Sequence, residues 1–185
     1  MKKSIGRKAI LYPHPVLIVG TYDHHDVPNI MTASWGGICC SDPPCVAISV
    51  RESRYTYNNI LANKAFTVNI PSVSHIKEVD YAGIYSGNEL NKFEKTNLTP
   101  VRSDSVKAPY VKEFPISLMC KLLKTVEIGV HTQFIGEILD VLIDEDIMKV
   151  NGQLDIDKIQ PFIYDSSSRA YYSIGEKIMD AYSSK

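Results

Sequence analysis

Two segments of the sequence concentrate side chains that could bind a small molecule. Residues 28–35, Pro-Asn-Ile-Met-Thr-Ala-Ser-Trp, bring an amide, two hydroxyls and the single tryptophan of the chain together on one predicted strand. Amide and hydroxyl groups beside an aromatic plane suit a flat heteroaromatic ring with polar edges. The structural alternative is a half-buried strand, in which Thr32 and Ser34 line one face and Trp35 closes one end of a barrel.

The second segment favours an anion. Residues 50–57, Val-Arg-Glu-Ser-Arg-Tyr-Thr-Tyr, run from a predicted strand into the start of a predicted helix. Free backbone N–H groups and the positive end of the helix dipole attract a phosphate at such a point, and Arg51 or Arg54 could balance its charge. In the alternative interpretation, Ser53 or Thr56 only caps the helix while both arginines are solvated.

Other motifs point to ordinary structure. The ten glycines form neither GxGxxG nor GxxxxGK(S/T), so neither a Rossmann dinucleotide site nor a P-loop is predicted. Residues 24–26, His-His-Asp, should form a polar turn without a metal, because adjacent histidines point apart on an extended chain and no third ligand is suitably spaced. Three cysteines, Cys39, Cys40 and Cys45, lack the CxxC spacing of an iron–sulfur cluster or a dithiol relay. We predict that they are buried thiols beside the strand at residues 30–35.

The composition indicates one folded domain, residues 1–185. Hydrophobic residues make up 44% of the chain and charged residues 22%, as in ordinary globular proteins. Twenty lysines and arginines against twenty-one acidic residues leave a net charge of −1, so the basic surface typical of a nucleic-acid-binding protein is not expected. With no apolar run of membrane-spanning length, no secretory signal and only four cysteines, we expect a reduced, cytoplasmic protein that contacts neither nucleic acid nor membrane.

Short apolar runs rich in β-branched residues predict strands. They are separated by turn-forming segments at residues 23–29, 36–44 and 71–72, a spacing that favours antiparallel neighbours. Two longer runs predict a hairpin through residues 129–133. The predicted fold is mainly β, a six-or-more-stranded antiparallel split barrel with a few short helices, because closure removes exposed strand edges. The predicted strands are residues 16–22, 30–35, 45–50, 66–70, 116–128 and 134–143.

Helices are predicted at three places. Residues 53–62 form the first, and residues 75–81 the second, which Ser74 opens. Apolar residues at helical spacing predict a third at residues 174–182. Residues 86–109 are polar and predict a long loop of the kind that is usually functional or mobile.

Four motifs together resemble the flavin reductase-like FMN-binding split barrels, and most closely the flavoredoxins. They cover nearly the whole chain in the expected order, although each is short by itself. The motifs are Asn29-Ile-Met-Thr-Ala-Ser-Trp35, the strand-turn-helix that contains Thr56, Asn91-Lys-Phe93 and Tyr171-Tyr-Ser-Ile-Gly175.

The resemblance implies a homodimer with FMN at the interface. The matching positions along the isoalloxazine ring and the ribityl chain are Asn29, Thr32, Ala33, Ser34 and Trp35, and those near the phosphate are Arg51, Ser53 and Thr56. Lys92 and His131 match further flavin-contacting positions, where a cation could stabilise the negative charge of a reduced flavin. Tyr164 stands where the family carries an aromatic residue, often Phe. No catalytic side chain is assigned, because the cofactor carries the chemistry.

The resemblance also implies a redox function. The first hypothesis is a flavin reductase that passes electrons from NADH or NADPH through bound FMN to free flavin or another acceptor. The second is a non-enzymatic electron carrier of flavoredoxin type that receives electrons from a redox protein partner. A pyridoxamine-phosphate-oxidase-like barrel would present a similar phosphate site, but the Asn29–Trp35 strand is more similar to the reductase branch.

Overall fold

Residues 1–184, which the computed structural model describes, form twelve β-strands and a few short helices. The strands are β1 (His14–Pro15), β2 (Leu17–Tyr22), β3 (Pro28–Ala33), β4 (Gly36–Ser41), β5 (Pro44–Val50), β6 (Ala65–Ile70), β7 (Pro100–Arg102), β8 (Pro109–Val111), β9 (Ile116–Ile128), β10 (His131–Ile143), β11 (Phe162–Asp165) and β12 (Ala170–Ser173). The α-helices are α1 (Tyr55–Asn63), α2 (Ile76–Ile84), α3 (Lys92–Thr96) and α4 (Ile156–Ile159), and single 3₁₀ turns cover Val73–His75 and Glu145–Ile147. None of the helices in this range is long and apolar enough to cross a membrane.

Seven antiparallel strands form the predicted barrel, and this barrel is split. Their hydrogen-bonded order is β3-β2-β6-β9-β10-β5-β4, so the two outer strands, β3 and β4, directly follow each other in the chain. Ser34 and Trp35 connect them across the split, and Trp35 O accepts a hydrogen bond of 2.8 Å from Ser49 N of β5. In the described part of the chain, no strand pairs with the outer edge of β3, so the backbone N–H and C=O groups of this edge have no strand partner, and Ile30 O accepts a hydrogen bond from Lys92 Nζ instead.

Strand β3 is buried on both faces over its central residues, Asn29 to Met31. Met31 packs inside the barrel in the same cluster as Phe66. Ile30 points to the opposite face and packs with Val79 of α2 and Phe93 of α3. The two helices are therefore held against the back of the strand that was predicted to bind a ligand.

The predicted turn at residues 36–44 is wrong for most of its length. Gly36–Ser41 form the outer strand β4, and only Asp42 and Pro43 turn the chain into β5. The side chains of β4 are almost all exposed. An exposed edge strand needs no alternating apolar face, so the pattern that identifies the other strands is missing here.

The predicted helix at residues 174–182 is also wrong. Residues 174–180 adopt no regular secondary structure, and the side chains of Ile178 and Met179 are 96% and 59% exposed. Short helices are stabilised mainly by packing of their apolar face. The helical spacing of these residues finds no surface to pack against.

The predicted helix starts require smaller corrections. Arg54 is the residue before α1 and no side chain caps this helix, so the predicted capping role of Ser53 or Thr56 is wrong. Helix α2 follows a 3₁₀ turn whose start is capped by Ser72, which accepts a hydrogen bond from Ser74 N at 3.2 Å. The segment 86–109, predicted as a loop, contains α3 and β7.

Candidate functional site

Three adjoining recesses surround the open end of β3, and Arg54 lines all three. The α1 pocket, about 120 Å³, is bounded by the start of α1, by residues 85–87 and by Lys92. The β3 groove, about 150 Å³, lies between residues 31–35, the end of β5 and His131. The β11 cleft, about 400 Å³, lies between residues 32–34, α2 and the β11–β12 hairpin.

The start of α1 directs backbone N–H groups towards the α1 pocket. Arg54 makes no capping hydrogen bond through its side chain, and the first turn of the helix contains no acidic residue. The first N–H groups of a helix lack intrahelical partners, and the helix dipole gives this end a positive potential. An anion in the α1 pocket would therefore meet backbone donors as well as the side chains of Ser53 and Thr56.

Lys92 adds a buried cation to the α1 pocket. Its side chain is only 4% exposed, and its Nζ donates hydrogen bonds to Ile30 O at 2.9 Å and to Ala82 O at 2.7 Å. No ion pair among residues 1–184 includes Lys92. Burial, together with the nearby positive charge of Arg54, lowers its pKa to about 8. An ammonium group has three donors, so one N–H of Lys92 remains for a ligand in the pocket.

Asn29 orients the hydroxyl of Thr56. Both residues are buried, and Asn29 Nδ2 donates a hydrogen bond of 3.1 Å to Thr56 Oγ1. Because the hydroxyl oxygen already accepts this bond, its own proton is free to be donated into the α1 pocket. Asn29 itself lies behind Thr56 and does not line the pocket.

The opposite wall of the α1 pocket depends on close packing at Gly87. A Cβ atom added to Gly87 would lie 2.5 Å from Tyr55 Cδ1, so only glycine allows residues 85–87 to approach the helix this closely. Tyr55 is fixed in turn, because its hydroxyl donates a 2.8 Å hydrogen bond to the buried carboxylate of Asp23. Burial and Asp23 raise the pKa of Tyr55 to about 12, so this donor stays protonated.

The β3 groove combines an open strand edge with an aromatic wall. The rings of Trp35 and His131 lie 4.8 Å apart, tilted by 36°, and Trp35 is 39% exposed. Trp35 belongs to neither buried core cluster, and it lines the groove together with His131. A flat ring beside it could contact an aromatic face and the free backbone groups of β3.

Burial and the neighbouring Arg51 both favour the neutral form of His131. The register of β5 against β10 places Arg51 beside His131, and Arg51 Nε donates a hydrogen bond of 3.4 Å to His131 Nε2. Burial and the Arg51 guanidinium lower the pKa of His131. At neutral pH the imidazole is therefore uncharged with its proton on Nδ1, and the positive charge on this side of the groove belongs to Arg51.

We expect His131 to titrate below the usual histidine pKa of about 6.5, and Arg51→Gln to raise its pKa. The removed guanidinium would no longer oppose protonation or occupy Nε2. A pH titration of the imidazole nitrogens by NMR measures both effects in the ligand-free protein. Arg102→Gln is the control with matched charge loss. An unchanged His131 pKa in Arg51→Gln, or a proton on Nε2 in the wild type, would contradict this assignment.

The β11 cleft brings Tyr164 to the same strand end. Tyr171 lies between Tyr164 and α2, with its ring 5.4 Å from the Tyr164 ring and its hydroxyl donating a 3.0 Å hydrogen bond to Asp80. Burial and Asp80 raise the pKa of Tyr171. On the floor of the cleft, the hydroxyl of Thr32 donates to Val79 O at 2.5 Å, so α2 already satisfies this group.

The structure groups the predicted site residues around one strand end, where they line three recesses. Lys92 lines the α1 pocket with Ser53 and Thr56, whereas Arg51 lines the β3 groove with His131. Thr32, Ala33 and Ser34 line both the groove and the β11 cleft. The ligand-binding role of these residues stays a prediction.

Sequence reasoning missed several residues of this region. Arg54 was only an alternative to Arg51, yet its position before an uncapped helix places it at the junction of all three recesses. Ser86 and Gly87 line the α1 pocket, but they belong to a segment predicted as a loop, and no local sequence pattern identifies them as site residues. Asp80 lines the β11 cleft, but the sequence does not identify it as a site residue, because acidic residues are common on exposed helix faces.

The remaining polar motifs stand apart from the site. Residues 24–25 form the predicted turn, and residues 1–184 contain no group of three or more side chains able to hold a metal ion. The prediction of buried thiols is wrong for Cys39 and Cys40, which are exposed on β4, and right for Cys45, which is buried. Cys120 is buried as well.

The chain belongs to the flavin reductase like domain family, whose sequence model matches residues 9–169. Among solved structures, the chain is similar to the flavoredoxin of Desulfovibrio vulgaris (Miyazaki F), with 49% identity, a TM-score of 0.94, and coverage of 100% of this chain and 99% of the flavoredoxin. It is also similar to a flavoredoxin from Methanosarcina acetivorans, with 27% identity, a TM-score of 0.92, and coverage of 100% and 97%. These matches confirm the predicted family and the split-barrel fold.

A curated relative shows the same similarity over a shorter segment. An uncharacterized protein of Archaeoglobus fulgidus is 42% identical over 114 residues, which cover 62% of this chain. The matched segment spans 64% of the length of that relative.

Proposed function

We propose that the protein is an FMN-binding oxidoreductase of the flavin reductase type. The observation that carries the proposal is the buried Lys92, a cation without an anionic partner among residues 1–184, at the uncapped start of α1. A phosphate group carries close to two negative charges and accepts several hydrogen bonds, so it complements this pocket. When bound, FMN supplies reversible two-electron and hydride chemistry.

The adjoining recesses support a flavin rather than a simple phosphate. In the proposed arrangement Thr56, Lys92 and Arg54 hold the phosphate in the α1 pocket, and the flat ring follows the open edge of β3 beside Trp35. The free backbone groups of this edge match the polar rim of an isoalloxazine ring. The site is therefore built from one strand end and one helix start, which the barrel fixes relative to each other.

The electron donor in the proposal is NADH or NADPH, and the acceptor is free flavin or another small molecule. The β11 cleft leaves space of about 400 Å³ beside the proposed ring position, enough for a second ligand to approach. The chain would bind and orient the two partners, exclude water between them, and hold a neutral His131 beside the ring.

A second candidate is an electron carrier of flavoredoxin type, favoured by 49% identity over the whole length of a flavoredoxin. Absorbance spectra distinguish the two functions. Protein loaded with FMN should show flavin bands, and anaerobic NADH or NADPH should bleach them in a reductase. In a carrier only a reduced redox protein bleaches them. If added FMN does not remain with the protein, both functions are wrong.

Replacing Thr56 with valine should weaken FMN binding by roughly tenfold or more and leave riboflavin binding nearly unchanged. A hydrogen bond to a charged group contributes about 1.5–3 kcal/mol, and riboflavin has no phosphate to receive it. Thr56→Ser keeps the hydroxyl and is the matched control. Calorimetric titration of each variant with both flavins measures the effect. Equal losses for both flavins would limit Thr56 to a structural role.

We also propose that the protein is a homodimer, and that a second subunit helps to cover the flavin. Long aliphatic side chains remain exposed along the β9–β10 hairpin, an arrangement that commonly marks an interaction surface. They include Leu123 at 57%, Ile128 at 60% and Val130 at 71% exposure. Light scattering of the FMN-loaded protein should give about twice the chain mass of 20.7 kDa. A monomer that binds FMN tightly would contradict the dimeric site.

A further inference from the structure

Three of the four cysteines gather at one irregularity of the β4–β5 hairpin. The pairing of β4 with β5 shifts between Ile38 and Cys40, so Cys39 is an extra residue that bulges from the strand. Directly after the bulge, Cys40 lies opposite Cys45. The Cys39 thiol lies 3.6 Å from Cys45 O, and the Cys40 thiol lies 3.3 Å from Asp42 O at the turn.

Cys40 and Cys45 are arranged as a cross-strand pair on the outer face of the sheet. Val46 and Ile48 of β5 point into the barrel core, so Cys45 points to the other face by strand alternation. Residues directly opposite in an antiparallel pair have Cα atoms about 4.5–5.5 Å apart and side chains on one face. Disulfides span Cα separations of about 4.4–6.8 Å. The backbone therefore already has the spacing that a disulfide requires.

We propose that Cys40 and Cys45 are a thiol modification site that forms an intramolecular disulfide by exchange with a low-molecular-weight disulfide such as oxidised glutathione. Nothing in the flavin site uses these thiols, so this inference is independent of the proposed function. The extra residue Cys39 has no partner position on β5 and stays outside the pair.

The exposure of the two thiols sets the order of the exchange. Exposed Cys40, as its thiolate, attacks one sulfur of the small disulfide, forms a mixed disulfide and releases the other half as a thiol. Buried Cys45 then loses its proton to solvent and attacks the Cys40 sulfur, which releases the second half. Two protein thiols are oxidised and one small disulfide is reduced to two thiols. Burial, the neighbouring thiols and Glu137 raise the pKa of Cys45, so it suits the second step and not the first.

The crosslink would join two strands that carry parts of the flavin site at their other ends. Strand β4 begins directly after Trp35, and β5 ends at Val50, directly before Arg51. The disulfide would close a short loop around the Asp42–Pro43 turn without moving the strand pairing. Cys120 lies in the barrel core and takes no part.

Mass spectrometry of the full chain tests the proposal. After incubation with oxidised glutathione and alkylation of free thiols, the wild-type protein should lose two hydrogens, and fragment spectra should join Cys40 to Cys45. Cys39→Ser is the matched control and should keep the crosslink. Cys45→Ser should stop at a glutathione adduct on Cys40. The fragment spectra of the wild-type protein identify the crosslinked cysteines by themselves. The test therefore remains valid even if Cys45→Ser does not fold. A crosslink from Cys39, an adduct on Cys39 alone, or disulfides only between chains would overturn the proposal.

Discussion

Replacing Lys92 with methionine should weaken FMN binding by roughly tenfold to a hundredfold. The proposed bond from Lys92 Nζ to the phosphate is charge-assisted, and such bonds contribute about 1.5–3 kcal/mol. Methionine fills much of the same volume but offers no donor and no charge. Titration of the ligand-free variant with FMN, followed by quenching of Trp35, the only tryptophan of the chain, gives the dissociation constant.

In the ligand-free protein, the same substitution should have two opposing effects on the free energy of unfolding, which partly offset each other. Keeping Lys92 charged in its buried position costs about 3 kcal/mol, because its pKa is lowered from 10.5 to about 8. Methionine removes this cost but leaves the carbonyls of Ile30 and Ala82 without their donor, at about 1–3 kcal/mol each. Lys95→Met, at an exposed position of α3, is the control for charge loss. Unchanged FMN affinity in Lys92→Met would place the phosphate elsewhere.

FMN affinity should be nearly constant from about pH 6.5 to 7, be reduced about twofold near pH 8, and fall above pH 8 by up to tenfold per pH unit. The phosphate binds the protonated form of Lys92, whose pKa in the ligand-free protein is about 8. Above this pH, binding must take up a proton, so the observed affinity decreases until the higher pKa of the bound state is reached. Calorimetric titrations in buffers of different ionisation enthalpy measure both the affinity and the proton uptake.

The free energy of unfolding should depend on pH with the opposite sign to the FMN affinity. The folded-state pKa of Lys92 is depressed below its unfolded value, so the unfolded chain binds more protons between about pH 8 and 10.5. Through this residue, the free energy of unfolding of the ligand-free protein should therefore rise with pH in that window. Two controls should show no decrease of affinity above pH 8. One is riboflavin binding to the wild-type protein, and the other is FMN binding to Lys92→Met. A slope that persists in Lys92→Met would assign the titration to another group.

Strands β2 and β6 were predictable from the sequence because β-branched and aromatic residues are dense in the runs at residues 16–22 and 66–70. Both strands are buried along nearly their whole length, which confirms these two predictions. Strand β4 escaped prediction because its exposed side chains leave no pattern. The tail at residues 174–182 has helical spacing without a surface to pack on, so its pattern gave a wrong helix.

The candidate site was predictable in its residue types but not in its grouping. The motif around Asn29 identified the right strand end, yet only the structure places this amide behind Thr56. The environment of Lys92 depends on carbonyls from β3 and α2, which lie ten to sixty-two positions away in the chain. Such long-range contacts cannot be predicted from the local sequence. For this reason neither the burial of Lys92 nor the place of Arg54 between the three recesses could be inferred beforehand.

The most direct test of the account compares FMN with riboflavin on the wild-type protein. The two ligands share the ring and the ribityl chain and differ only by the phosphate, which we assign to Lys92, Thr56 and the start of α1. Parallel titrations of the ligand-free protein at pH 7, followed by Trp35 quenching, give both dissociation constants. Two charge-assisted hydrogen bonds of about 1.5–3 kcal/mol each predict that FMN binds at least about a hundredfold more tightly. Equal affinities for the two flavins would contradict the assignment of the α1 pocket as a phosphate site.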